Sequence, residues 1–563
     1  MKMMSDWWKK STVYQVYPQS FKDSNGDGIG DLPGITEKMS YLQQLGINAI
    51  WLNPIYQSPL VDNGYDISDY YKINPIYGTM DDFKTMLEAA HEHGIKLIMD
   101  LVVNHTSDQH HWFKESKKSR DNPFSDYYIW RDPKPDGSAP NNWGASFGGS
   151  AWEYVPERGQ YYLHLYAPQQ PDLNWENPNM RQKIYAMMRF WFDMGVNGFR
   201  MDTINLLSKD QSFPDAPLMP NSQYGTAYAG SANGPRIHEF LQEMNREVLS
   251  KYDVMTVGET PHTTADEAAL YVDPKRHELN MVFQFEHMHV DYGEFGRYST
   301  VRFKLSDLRA SMAHWQTSLT NRGWNSLFLN NHDQPRMVSR FGDDQQFRVQ
   351  SAKMLAIILH LQQGTPFVFQ GEELGMTNVK FNSIEQFRDL EAKNNFHSLL
   401  SKGLSEGEVM KMIRHKSRDN SRTPMQWNTS VNAGFTTGTP WIETNPNYGT
   451  INAASEIEDQ DSVFNFYKGL ISLRSKYDII TDGRFDLINP NDSAIFGFTR
   501  KLGNQILVVL GSFMNAKVKA ELPDELATGD AKLLIGNYGT PAKLATRMYL
   551  KPYEGVAYLI NHG

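Results

Sequence analysis

Eight short β-rich runs recur along the chain, at residues 13–17, 49–52, 97–102, 198–201, 255–257, 281–283, 327–329 and 366–369, with room for a helix between them. A strand, a helical crossover and another strand make parallel neighbours, and eight such units close on themselves as a (β/α)8 barrel of the α/β class. The intervening segments agree with this. Residues 35–45, 80–93 and 180–194 bring apolar side chains round every three to four positions, and each is followed by a glycine (Gly46, Gly94, Gly195) suited to a left-handed helix end.

Two stretches break the alternation. From His105 to Asn174 the chain is rich in Trp, Tyr, Gly, Pro and Asn, far longer than a βα loop of roughly two to six residues. From Gly483 it turns to short alternating runs (FDLINP, AIFGFTRKL, QILVVLGSF, EGVAYLIN) without long helices. The organisation predicted is therefore a catalytic barrel in two parts, 1–104 and 174–482, an inserted domain at 105–173, and a C-terminal antiparallel β-sandwich domain at 483–563.

Composition excludes several functions. Lys and Arg number 55 against 65 Asp and Glu, a net charge of −10, so no nucleic-acid partner is expected. No run of about 18 apolar residues is present, so no membrane span is expected, and the opening MKMMSDWWKK has no apolar leader core. With 0 Cys there is no disulfide, thiolate nucleophile or Cys-ligated metal. A cytoplasmic location is the expectation, and oligomeric state is left open.

In barrel enzymes the working residues protrude from the C-terminal ends of strands. Here strand three leads into Asp100-Leu-Val-Val-Asn104-His105, strand four contains Arg200 and runs to Asp202, strand five ends Gly258-Glu259, and strand seven leads into Asn330-Asn331-His332-Asp333. Three carboxylates (Asp202, Glu259, Asp333) with two His and an Arg suit cleavage of a glycosidic bond. That reaction needs one carboxylate to attack the anomeric carbon or activate water, and another to protonate the leaving oxygen. The motifs GxGxxG after a strand, GxxxxGK[ST], HExxH and GxSxG are all absent. Arg200 and Asp202, two apart on a strand, should share a face, where the cation favours an ionised nucleophile. Glu259 is expected to carry its proton, crowded by the charges of Asp202 and Asp333.

The loop Asp23-Ser-Asn25-Gly-Asp27-Gly-Ile29-Gly-Asp31 places oxygen side chains at positions 1, 3, 5 and 9 of an EF-hand pattern and a backbone carbonyl at Ile29, but has Gly34 at position 12. An incomplete, structural Ca2+ or Mg2+ site is expected there, with Asp23, Asn25, Asp27, Ile29 and Asp31 as ligands.

The segments WWKKSTVYQVYPQSF, DLVVNH, QPDLNW, GFRMDTIN, VGE, NNHDQPR, QGEELGMTN and SRDNSRTPMQW, in this order over nearly the whole chain, resemble the α-amylase superfamily, glycoside hydrolase family 13, and most of all its oligo-1,6-glucosidase and α-glucosidase group. The resemblance implies that Asp202 is the nucleophile, Glu259 the general acid and base, and Asp333 a third carboxylate binding sugar hydroxyls. It implies that Arg200 holds the nucleophile ionised, that His105 and His332 contact the first glucose, and that Asp62, Tyr65 and Arg422 close that pocket. Phe147, Tyr166, Gln170 and Thr203 complete the candidate substrate-binding set. Calcium at the 23–31 loop is supported by the same resemblance.

The function expected is a retaining, exo-acting α-glucosidase on short oligosaccharides. In the resembled group Val after the nucleophile accompanies α-1,6 specialists and Thr or Ala accompanies α-1,4 hydrolysis, so Thr203 leans toward maltose, with isomaltose-type bonds also within reach. Trehalose-6-phosphate hydrolase and sucrose isomerase are the competing enzymes. Pro171 and Glu286-His287 depart from the first family's Ala and His-His, and Gly296–Thr300 lacks the second's Arg-rich loop. A catalytically silent scaffold subunit is the reading from another class, and none of the three carboxylates is substituted as it would require.

Overall fold

The computed structural model describes residues 5–219, 222–527, 531–541 and 543–561. The fold is an α/β barrel with an insertion after its third strand and a C-terminal antiparallel sheet. The barrel strands are β1 (Val13–Val16), β2 (Ala49–Leu52), β3 (Lys96–Leu101), β4 (Gly198–Met201), β5 (Met255–Glu259), β6 (Met281–Phe283), β7 (Ser326–Leu327) and β8 (Thr365–Phe369). Seven fall where periodicity places them, within a residue or two. β7 sits earlier than expected: its ladder with β8 pairs Ser326 with Thr365 and Leu327 with Pro366, and Pro366 has no N–H with which to carry it further.

The helix expected at 35–45 is two, Leu32–Glu37 and Met39–Leu45. Asp31 caps the first by accepting from Gly34 N, and Pro33 occupies its first turn, so a cap and a proline start it before the apolar period does. Gly46 (φ 92°) and Gly195 (φ 111°) take the left-handed position at the ends of Met39–Leu45 and Pro178–Met194.

The chain forms two compact units. The first comprises residues 51–88 and 96–285, with Ser5 of the described N-terminus. Within it β3, β4, β5 and β6 pair in parallel, in a register that sets Arg200 beside Asp100 on one side and Val257 on the other, and Glu259 beside Phe283. The insertion holds a three-stranded antiparallel sheet of Trp130–Arg131, Gln160–Leu163 and Trp152–Val155. Its apolar core joins Ile129, Trp143, Trp152, Leu163 and Leu165 to Leu206, Phe213, Ala216 and Ala227, which follow β4. The inserted layer thus draws on a second stretch of chain that composition does not mark.

The second unit comprises residues 6–50, 89–95 and 286–563. It contains the parallel run β1, β8, β7 and a five-stranded antiparallel sheet in the order Arg484–Ile488, Ile495–Leu502, Gln505–Ser512, Gly555–Asn561, Ala531–Gly536. A two-stranded ribbon of Val518–Glu521 and Arg547–Leu550 shares its core. The sheet lies close on the helix Arg348–His360: a Cβ at Gly511 would stand 2.8 Å from Ile358 Cγ1. Among the described residues no helix is long and apolar enough to cross a membrane.

Candidate active site

In the first unit the ends of β3, β4 and β5 bring Asp100, Arg200, Asp202 and Glu259 together. Arg200 Nη1 donates to Asp202 Oδ1 at 2.7 Å and to Asp100 Oδ1 at 2.9 Å, while its Nη2 lies 2.9 Å from Glu259 Oε2. One guanidinium, 2 % exposed, is therefore shared by three carboxylates. Burial works against its charge, but Asp100, Glu259, Tyr65 and Asp202 hold it protonated well beyond the ordinary guanidinium value. The shared strand face expected of Arg200 and Asp202 is found. The group against Glu259 includes a cation where carboxylates alone were expected.

Asp100, fully buried, was quoted in the strand-three motif but assigned no role. It accepts from Tyr65 Oη at 3.0 Å and Trp51 Nε1 at 3.2 Å as well as from Arg200. Burial pushes its carboxyl above the usual range against the pull of those donors. The signal was present: a lone charge within the apolar run LIMDLVV.

Thr203 follows in the left-handed region (φ 38°), rare for a β-branched residue. Its N–H donates to Glu259 Oε2 at 3.0 Å and its hydroxyl to Asp202 Oδ2 at 3.3 Å. The strained turn thus ties both carboxylates to one residue.

A second layer joins the insertion to the same unit. Gln170 Nε2 donates to Asp62 Oδ2 (3.1 Å) and Tyr65 O (3.3 Å), and His105 Nε2 lies 3.1 Å from Tyr65 O. The Tyr166 ring stands 5.2 Å from His105 and 5.6 Å from Phe147. Burial lowers His105 to about 4.

In the second unit Asp333 forms its own charged cluster. Arg422 Nη2 reaches Asp333 Oδ1 at 2.8 Å, Arg418 Nη1 the same oxygen at 3.3 Å, and His332 Nε2 reaches Oδ2 at 3.2 Å. Arg297 donates to the Asp333 backbone carbonyl and pairs with Glu391 at 3.1 Å. Burial opposes the charge on Asp333, yet His332, Arg418, Arg422 and Arg297 outweigh it and hold the carboxyl well below the usual range. His332 is set by Gln15 Nε2, 2.8 Å from its Nδ1, and stacks on Tyr17. Arg418 was quoted in the SRDNSRTPMQW segment but assigned no role, and Arg297 was missed because a lone arginine in a polar segment carries no periodic signal.

The 23–31 loop is tightly self-bonded. Asp23 accepts from Asn25 N, Gly26 N, Gly28 N and the Thr436 hydroxyl, Asn25 Oδ1 from Asp27 N, and Asp27 Oδ1 from Ile29 N. Asp31 serves as the helix cap and accepts from Ser24. Among the described residues no three His, Cys, Asp or Glu side chains gather within reach of one metal ion. Cation ligation there would have to draw on Asn25 and the Ile29 carbonyl as well.

Residues 15–483 match the Alpha amylase, catalytic domain, family. The oligo-1,6-glucosidase of Parageobacillus thermoglucosidasius is 56% identical over 557 residues, covering 99% of this chain and 99% of its own. The alpha-glucosidase of Pediococcus pentosaceus is 51% identical over 98% of each chain. Among solved structures, the trehalose-6-phosphate hydrolase of Bacillus licheniformis superposes with a TM-score of 0.95 at 50% identity, over 99% of this chain and 100% of that one.

Proposed function

Because the chain belongs to the α-amylase family, we propose that it is a retaining, exo-acting α-glucosidase that releases terminal α-linked glucose from short oligosaccharides. That it is a glycoside hydrolase follows from the family and from relatives of high identity along the full chain. The observation that carries the finer reading is the pair Asp202 and Glu259, at the ends of adjacent strands and gripped by one buried arginine.

In this reading Asp202 attacks the anomeric carbon. The bond from that carbon to the leaving oxygen breaks, Glu259 passes its proton to the oxygen, and a glycosyl ester forms on Asp202. Arg200 Nη2 and Thr203 N–H, both aimed at Glu259 Oε2, stabilise the carboxylate left behind. Glu259 then takes a proton from water as the water attacks the same carbon, the ester bond breaks with its electron pair returning to the Asp202 carboxylate, and glucose leaves with its configuration retained. Asp333, kept ionised by its cationic neighbours, accepts hydrogen bonds from sugar hydroxyls. Asp62, Tyr65, His105, Gln170, Phe147, Tyr166, His332 and Arg422 are assigned to the sugar pocket.

We favour α-1,4 substrates such as maltose, with α-1,6 bonds also cleaved. Thr203 supports the first, and the activity named for the Parageobacillus relative supports the second. A sugar phosphate is disfavoured by Glu286, which stands where the phosphotrehalase pattern has His-His and so offers a dianion an acid side chain, already bonded by Trp315 Nε1 at 2.7 Å, in place of a donor pair. Ca2+ is proposed at the 23–31 loop, on Asp23, Asn25, Asp27, Asp31 and the Ile29 carbonyl. It would neutralise the carboxylates and brace the loop, with no part in the chemistry. The cysteine-free composition suits a reducing compartment, and the cytoplasm is the location proposed.

The deciding experiment compares kcat/KM for glucose release from maltose, isomaltose, sucrose, trehalose and trehalose 6-phosphate. Highest values on maltose and isomaltose are expected. A higher value on trehalose 6-phosphate would replace this reading with the phosphotrehalase one.

A further inference from the structure

The first unit contains a fully buried ion pair that the chemistry above does not use. Lys209 Nζ lies 2.8 Å from Asp172 Oδ2, both side chains 0% exposed, and also donates to Asn104 Oδ1 at 2.6 Å. An ammonium group has donors only, so the oxygen of the Asn104 amide must face it. The amide NH2 is thereby turned the other way, toward Asp172 Oδ2 at 3.1 Å and His105 Nδ1 at 3.2 Å. Since that NH2 has no lone pair to offer, Nδ1 must accept, and the ring proton belongs on Nε2. There it donates to Tyr65 O, 3.1 Å away. Gln170 Nε2 also stands 3.3 Å from His105 Nε2, but it has acceptors for both of its hydrogens in Asp62 Oδ2 and Tyr65 O, whereas the Asn104 NH2 leaves Nδ1 no role but acceptor.

We infer that Lys209 and Asn104 are positioning residues that lock His105 as the neutral tautomer carrying its proton on Nε2. The charged groups bearing on the ring are Asp172, Lys209 and Asp66, and burial outweighs the two carboxylates, so the ring stays neutral at ordinary pH. Asp66 is itself occupied, accepting from Val61 N and Asp62 N. The chain of contacts runs from a lysine in the segment after β4 to the Tyr65 carbonyl and, through Gln170, to Asp62. The importance of the lock for catalysis rests on the assignment of His105 and Asp62 to the sugar pocket.

The test is 15N spectroscopy of the full chain with labelled histidine, the His105 signals being identified by their loss in His105→Gln. Wild type is expected to show protonated Nε2 and bare Nδ1 from pH 5 to 8. Asn104→Asp keeps the shape and the lysine contact but presents an acceptor to Nδ1, so the proton should appear there, with kcat/KM on maltose lower by about tenfold. Wild type protonated on Nδ1, or titrating near the ordinary histidine value, would overturn the lock. So would a folded Asn104→Asp protein that keeps the wild-type pattern. If the variant does not fold, the wild-type spectrum decides alone. A tautomer that switches while kcat/KM stays unchanged would uphold the lock and instead remove His105 from the sugar pocket.

Discussion

Asp202, Glu259 and Thr203 meet within a few ångströms, and each substitution there separates one role. Asp202→Asn keeps shape and most hydrogen bonding but removes the attacking oxyanion. Arg200 retains Asp100 and Glu259, so the fold should survive while single-turnover glucose release falls by ~10³-fold or more. Near-normal release would remove Asp202 from the nucleophile's place. Glu259→Gln should cost about 10²–10⁴-fold on maltose but far less in the glycosylation step of an activated aryl glucoside, whose leaving group needs little protonation. Equal losses on both substrates would count against Glu259 as the acid. Thr203→Val exchanges one β-branched side chain for another, so the left-handed backbone strain is common to both and the hydroxyl alone changes. The isomaltose-to-maltose ratio of kcat/KM should rise by up to roughly tenfold, which corresponds to about 1.4 kcal/mol. An unmoved ratio would place linkage choice outside Thr203. Asp202 and Glu259 were legible in the sequence because polar residues ending apolar strands stand out. Their shared arginine was legible only in half, since the spacing links Arg200 to Asp202 and says nothing of Glu259.

At the scale of elements, the periodicity that marks β4 and the helix Pro178–Met194 is a local property, and those elements lie where it places them. Boundaries moved where a single residue overrides the period, as Pro33 does in the first turn of Leu32–Glu37 and Pro366 does in the ladder of β8 with β7. The 23–31 loop is the element at which Ca2+ is proposed, and the proposal is read in stability. With Ca2+ bound only to the folded chain, the melting temperature should drop by a few °C in EDTA and return with added Ca2+, a response that Asp27→Ala should abolish. Equal melting temperatures with chelator and with Ca2+ would show that the Asx turns and the Asp31 cap hold the loop unaided.

At the scale of the whole molecule, stability should carry the mark of a buried carboxylate pair. Tyr467 Oη donates to Glu372 Oε1 at 2.8 Å, and Tyr14 and Tyr41 donate to Glu373 Oε1 at 2.7 and 2.6 Å. Burial raises Glu372 from 4.5 to about 8. A folded value above the unfolded one means that the fold favours the protonated acid. That contribution is fully present below about pH 4.5 and is lost as pH rises through about 8, at up to about 1.4 kcal/mol per pH unit for one proton. Urea titrations between pH 5 and 9 should therefore show wild type losing stability more steeply than Glu372→Gln. Parallel slopes would mean that Glu372 is ionised in the folded chain. By itself the sequence determined the alternation of strands and helices, the identity of the carboxylates at the strand ends and the family, because each is written in local spacing and residue type. Tertiary structure alone decided that the insertion's core is completed by Leu206, Phe213, Ala216 and Ala227, that Asp100 and Glu259 share Arg200, and that Lys209 reaches Asn104 and Asp172. These contacts join residues far apart in the chain, and burial, which gives them their strength, exists only once the chain has folded around them.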